Sequence, residues 1–166
     1  MASKLSPLKF VRTVFKSFMS QSGLEPRLLG PGLRVTNATA GRVELEFDIT
    51  SQQTNRLGTV HGGTIASMVD FGGSLAVASM GLYATGVSTD LAVTYLSPGG
   101  RPGDRLKVTA TCDKIGKSLA YTTVTFTNGR GELAARGSHT KFVAKAWEAG
   151  ALPYVLPEGV EADDVD

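Results

Sequence analysis

Residues 62–80 run apolar on every side of a helical wheel, and no other stretch limits the possible folds so sharply. The stretch carries Ile65, Met68, Val69, Phe71, Leu75, Val77 and Met80, with Ala, Ser and Gly between them and no Pro. Nothing in it alternates, so it predicts a helix buried all round. Gly72 and Gly73 each cost such a helix about 1 kcal/mol, which suggests that another backbone packs closely there. Downstream, residues 87–96, 105–113, 118–127 and 132–143 are rich in Val, Thr, Tyr and Phe and read as strands. Turn signals at Pro98-Gly99-Gly100, residues 114–117 and residues 128–131 separate them, and connections this short join antiparallel neighbours. Upstream, Val43, Leu45, Phe47 and Ile49 alternate with Arg42, Glu44, Glu46 and Asp48, a half-buried strand. The expected order is helix, strand, buried helix, then four strands. This is an α+β arrangement in which a strongly curved antiparallel sheet wraps one helix.

The first of those helices rests on Val11, Val14, Phe15, Phe18 and Met19, which recur at helical spacing. Before Glu25 the charged residues are Lys4, Lys9, Arg12 and Lys16, with no acid. A packed amphipathic helix and a mitochondrial transit segment both fit this composition, and they are not exclusive. Gly23 and Gly30-Pro31-Gly32 mark a loop, and residues 50–60 are polar and turn-like. The expected domain spans residues 1–145. Residues 146–166 carry Pro153, Pro157 and the acidic end, and are expected to form a mobile extension.

A net charge of +2 gives no reason to expect nucleic acid as a partner. No apolar run reaches the ~20 residues of a bilayer span, so no integral membrane association is expected. One cysteine, Cys112, cannot form an intrachain disulfide and points to a reducing compartment. The expected location is intracellular, in the cytoplasm or the mitochondrial matrix.

Asn55-Arg56-Leu57-Gly58-Thr59-Val60-His61-Gly62-Gly63 stands just before the buried helix. The start of a helix presents unpaired N–H groups, and glycine lets a ligand approach them. Such an end can hold an anion or a carbonyl oxygen gaining charge, or it can simply be a tight entry to the helix. Asp70 is the one charged residue between His61 and Asp90, and it lies within the buried helix. A carboxylate there needs a partner, a shifted pKa or a wet cavity, so it is either structurally tied or a general base or nucleophile. Gly62 and Asp70 are eight residues apart, roughly 12 Å along a helix axis, too far to act on one carbonyl from the same helix. Catalysis by both requires two antiparallel copies and hence a symmetric dimer. His61 is read as a cap or orienting group, and His139 as a surface or core residue of a strand. Two histidines and one cysteine, widely separated, make no metal site.

The chain resembles the hotdog-fold thioesterases of the phenylacetate-pathway type. The resemblance rests on Thr54-Asn55-Arg56-Leu57-Gly58-Thr59, His61-Gly62-Gly63, Val69-Asp70 and Gly86-Val87-Ser88. It continues through Tyr95 with Ser97-Pro98, Gly116-Lys117 and His139-Thr140-Lys141. It implies hydrolysis of acyl-coenzyme A; a fatty acyl chain of medium to long length is the expected substrate, with a small aromatic acyl group such as phenylacetyl or hydroxybenzoyl as the other candidate. No cofactor is needed, since coenzyme A is part of the substrate. Gly62 N–H and Asn55 would polarise the carbonyl, Asp70 of the partner chain would activate water with Ser88, and His61 would assist. Gly63, Tyr95, Ser97 and Pro98, with Lys114, Gly116, Lys117 and Ser118, would bind coenzyme A. The acyl pocket would be lined from both subunits by Met68, Phe71 and Leu75. Family members form homotetramers, as dimers of dimers. Phe142 and Gly99-Gly100 depart from the eukaryotic pattern of a histidine and a bulkier basic pair. A non-catalytic acyl-coenzyme A binding or scaffolding protein is the alternative, and a hydratase of this fold lacks its Asp/His pattern here.

Overall fold

The computed structural model describes residues 3–148 and 152–164. Its elements run α1 (Pro7–Gln21), α2 (Leu24–Leu28), β1 (Leu33–Thr39), β2 (Arg42–Asp48), a 3₁₀ turn (Ser51–Gln53) and α3 (Gly62–Ala78). They continue with β3 (Val87–Tyr95), β4 (Arg105–Ile115), β5 (Leu119–Thr127), β6 (Leu133–Phe142) and α4 (Ala144–Glu148). The six strands form one antiparallel sheet in the order β1-β2-β4-β5-β6-β3. α3 packs against the inner side of this sheet, with Ile65, Met68, Val69, Phe71 and Leu75 all buried. The α+β architecture read from the sequence is therefore present, with the buried helix at its centre.

Two elements replace the predicted loop between the first helix and residue 42. β1 pairs with β2 through a register shift between Val35 and Asn37. That shift breaks the period-two pattern by which a strand is recognised. α2 is one short turn with no buried residue, so it carries no apolar stripe. α1 is the packed amphipathic helix, burying Phe10, Val11, Thr13 and Val14. Its Phe15 and Phe18 rings lie 5.6 and 5.1 Å from Phe71 of α3.

The two glycines of α3 explain how closely the helix approaches the sheet. A Cβ on Gly73 would collide with the His139 ring and stand 2.7 Å from Thr122 Oγ1, and one on Gly72 would press on Val124 at 3.3 Å. Where the tail is described, it lies on the domain. Tyr154 donates its hydroxyl to the Ser79 carbonyl at 2.7 Å and stacks edge-on to Phe10. Asp163 N–H donates to Thr13 Oγ1 at 2.9 Å.

Candidate active site

The entry to α3 is assembled around the buried Gln53. Its carbonyl accepts from His61 N–H at 2.7 Å and from Thr64 Oγ1 at 3.2 Å. Its side chain ties the turn to the Leu28 carbonyl of α2. Asn55 closes the loop before the helix, its Oδ1 accepting from Leu57 N–H at 2.9 Å and its Nδ2 donating to Thr59 Oγ1 at 3.1 Å. His61 caps the helix, with Nδ1 accepting from Gly63 N–H at 2.7 Å. Gly63 thus spends its amide inside the chain. Gly62 N–H has no acceptor among the described residues and is left as the open amide of the helix start. Tyr95 braces this point, its hydroxyl donating to the Gly62 carbonyl at 2.6 Å.

Asp70 sits two turns further along α3 and is half exposed, its side chain 45% accessible. Ser88 of β3 donates to Asp70 Oδ1 at 2.7 Å. His139 of β6, fully buried, brings Nε2 to 3.2 Å from the same oxygen and 2.8 Å from Ser88 Oγ. Both contacts fall on Oδ1, so among the described residues Oδ2 is uncommitted. The His139 hydrogen bond, against the opposing cost of burial and with help from Ser88 and the charges of His139 and Lys141, holds the Asp70 carboxyl down at about 2. The group is therefore a carboxylate throughout the neutral range.

Sequence reasoning missed His139, which it read as a surface or core residue. The inner positions of β6 are Ala135, Gly137, His139 and Lys141, all small or polar yet buried. Alternation by hydropathy would turn this face outward. The signal that could have found His139 is the need of Asp70 for a donor, together with a glycine at position 73 that makes room for a ring.

A cavity of about 310 Å³ opens beside Asp70, lined by Leu24, Leu28 and Leu29, Ala66 and Ser67, and Leu91. The expected lining of Met68, Phe71 and Leu75 is not there. All three point into the core, no more than 2% exposed, because the helix turns that face toward the sheet and α1. α2, unseen in the sequence, supplies the aliphatic wall instead.

The residues expected to hold coenzyme A divide between the two ends of α3. Tyr95, Ser97 and Pro98 stand at its start, where the Pro98 carbonyl accepts from Asn128 Nδ2 at 3.2 Å. A second cavity, about 450 Å³, adjoins Pro98 and is lined by Arg101 and Arg130, cations the sequence reading did not single out. Lys114, Gly116, Lys117 and Ser118 lie at the opposite end, beside α4. There Trp147 Nε1 donates to the Gly116 carbonyl and Val143 N–H to that of Ser118. Among the described residues the two groups lie apart within one chain.

β3 is the exposed margin of this assembly. Val87, Leu91 and Tyr95 are 63%, 38% and 52% exposed, although Leu91 and Tyr95 pair with His139 and Ala135 and so share their inner face. α3 reaches β3 through the Asp70–Ser88 and Gly62–Tyr95 hydrogen bonds but buries none of its residues, so β3 and the stripe Gly63, Ala66, Ser67 and Asp70 are open together.

Comparison with known proteins agrees with this architecture. Residues 57–135 match the family model described as Thioesterase superfamily. Human acyl-coenzyme A thioesterase 13 is 38% identical over 132 residues, spanning 79% of this chain and 92% of that protein. The crystal structure of zebrafish thioesterase superfamily member 2 superimposes with a TM-score of 0.74 at 35% identity, covering 83% of this chain and 98% of that one. The Escherichia coli PaaI protein from the phenylacetic acid degradation operon shares the fold, with a TM-score of 0.65 at 20% identity, over 78% of this chain and 94% of that one. An open helix-start amide, an ionised Asp70 and this degree of likeness lead to one conclusion: the chain belongs to the thioesterase superfamily, in its hotdog-fold form.

Proposed function

We propose that the chain hydrolyses acyl-coenzyme A thioesters at sites shared between two antiparallel copies. The observation that carries this reading is the state of Asp70, whose Oδ1 is held by Ser88 and His139 while Oδ2 is uncommitted among the described residues and the side chain lines an open cavity. A water on Oδ2 attacks the thioester carbon and passes a proton to the carboxylate. The carbonyl oxygen becomes negative against Gly62 N–H of the other copy, with the second proton of its Asn55 Nδ2 close by. The C–S bond then breaks and coenzyme A leaves as the thiol, taking back the proton. Within one α3, Gly62 and Asp70 are roughly 12 Å apart, so the second copy is required. The open inner surface of β3 and the small-residue stripe of α3 are where it would sit. An antiparallel pair would also carry the partner's 114–118 turn toward the Arg101 and Arg130 cavity, bringing together the two groups expected to bind coenzyme A. The aliphatic lining of the cavity beside Asp70 supports a fatty acyl chain.

A serine nucleophile is disfavoured by the same geometry. In a Ser-His-Asp relay the carboxylate holds one ring nitrogen while the serine meets the other. Here Ser88 and Asp70 both meet Nε2 of His139, and its Nδ1 is buried without a partner.

The test is release of free thiol from a panel of acyl-coenzyme A esters, with wild type and Asp70→Asn. Turnover should fall by about 10³-fold with binding retained, an effect of the size seen when a general base is lost. Unchanged turnover in Asp70→Asn would remove that residue from the reaction. Thioester binding without thiol release by wild type would favour the non-catalytic alternative. Sharing between chains has its own experiment. Asp70→Asn chains are co-refolded with Gly62→Pro chains, since proline suits a first helical position but lacks the N–H. Random pairing should restore about a quarter of wild-type activity, because half the dimers carry one intact site of two. No recovery would place the site within a single chain.

A further inference from the structure

Lys141 is a buried cation to which the hydrolytic scheme gives no task. It lies on the inner face of β6, 3% exposed, two residues beyond His139. Its Nζ donates to Ser74 Oγ at 2.8 Å, and Ser74 donates in turn to the Asp70 backbone carbonyl at 3.1 Å. Burying an ammonium against a hydroxyl is costly, and an aliphatic side chain would fill the same space more cheaply. Burial pulls its pKa down, and the charge of Asp70 is what opposes that pull. The two charges therefore depend on each other through α3.

We propose that Lys141 is a positioning residue for Asp70: its ammonium, moored on Ser74, keeps the carboxylate ionised once bound substrate has shut out solvent. This rests on the hydrolytic reading above. In the free chain Asp70 is half exposed and water helps to stabilise its charge. An acyl chain lying in the neighbouring cavity removes that water, and desolvation favours the protonated acid, which cannot accept a proton from the nucleophile. Ser88 of β3 and His139 of β6 steady Oδ1 by hydrogen bonds. Glu25 of α2, a like charge, also lines the cavity. Lys141 is the fixed, buried opposite charge beneath the site, where its field is least screened.

The experiment compares pH profiles of kcat and kcat/KM for wild type, Lys141→Gln, Lys141→Arg and Ser74→Ala. Gln keeps the length and a donor toward Ser74 but not the charge. In Lys141→Gln the acidic limb of kcat should rise by about one pH unit or more, so kcat read on the limb should fall about tenfold while the neutral plateau and KM change little. Lys141→Arg should restore the wild-type limb. Folded Lys141→Gln with an unmoved limb overturns the proposal. Should that variant fail to fold, Ser74→Ala decides: the limb moves upward if the mooring matters, and an unmoved limb overturns the idea. A wild type without thiol release, or a fully active Asp70→Asn, would instead sink the hydrolytic reading. An active wild type, a dead Asp70→Asn and an unmoved limb would sink only the role of Lys141.

Discussion

The two edges of the sheet are treated in opposite ways. β1 lies beneath α1, whose Arg12 Nε donates to the Val35 carbonyl at 3.4 Å, and its Leu33, Val35 and Ala38 are buried. β3, at the other edge, meets α3 through Ser88 and Tyr95, yet none of its residues is buried. An unprotected edge strand bearing Val, Leu and Tyr is a liability unless something covers it. β3 also carries Ser88 and Tyr95, which brace Asp70 and Gly62. The closed edge serves stability, and the open edge holds the machinery that the proposed second copy would complete.

The sharpest way to break this comparison is to damage each edge in turn. Leu91→Lys places a charge where a lone chain is open to water but the proposed dimer would be sealed. It should lower activity by a factor on the order of 10² or more and shift the protein to monomers, with its melting behaviour as a chain little changed. Sedimentation velocity and thiol release measure both. Phe10→Ala should do the reverse, costing about 3–5 kcal/mol by leaving a cavity under α1 while the folded fraction keeps its kcat. Denaturant unfolding beside kinetics separates the two, and equal effects at both edges would end the distinction.

Next in size is the contact between α3 and β6. Gly73→Ala pushes a methyl into the His139 ring, and it should cost about 1–3 kcal/mol and lower kcat as the ring leaves Asp70. Gly72→Ala meets only the Val124 methyl groups at 3.3 Å and should be milder on both counts. If Gly72→Ala proved the more harmful to kcat, room for the ring would not be the reason for the glycine at 73. Ser88→Ala removes one hydrogen bond to a charged oxygen and should lower kcat about tenfold, as steady-state kinetics would show.

These particulars show where reading the chain succeeded. α3 was legible because a helix apolar on all sides has one kind of environment. Asp70 stood out within it because a lone carboxylate there demands an explanation. β2 was plain from strict alternation, whereas β1 was hidden by the shift at Val35 and Asn37, and α2 by having no buried face. The strand containing His139 was found, but its orientation was not, since a polar inlay facing a helix imitates an outer surface. Pairing between strands decides that orientation, and pairing is a long-range property which local hydropathy does not encode.

The smallest expected effect is a pH dependence, and its sign separates the open edge from an ordinary surface. Asp70 ionises at about 2 in the folded chain, below the usual value of 3.8, chiefly through His139. A depressed carboxyl contributes stability that is present above the unfolded value and disappears as pH falls from 3.8 toward 2. The group is half exposed, so solvent screening keeps this contribution modest. In the free enzyme the carboxylate is complete above about pH 4, so kcat/KM should show no acidic limb from Asp70 between pH 4 and 7. His139→Gln removes the largest cause of the depression, so the Asp70 ionisation should move upward and the acid side of the stability curve should flatten. Carboxyl titration by NMR, with urea unfolding at pH 3 and 5, measures both. An Asp70 that titrates near 4 in wild type would mean that the ring does not bind the carboxylate in solution.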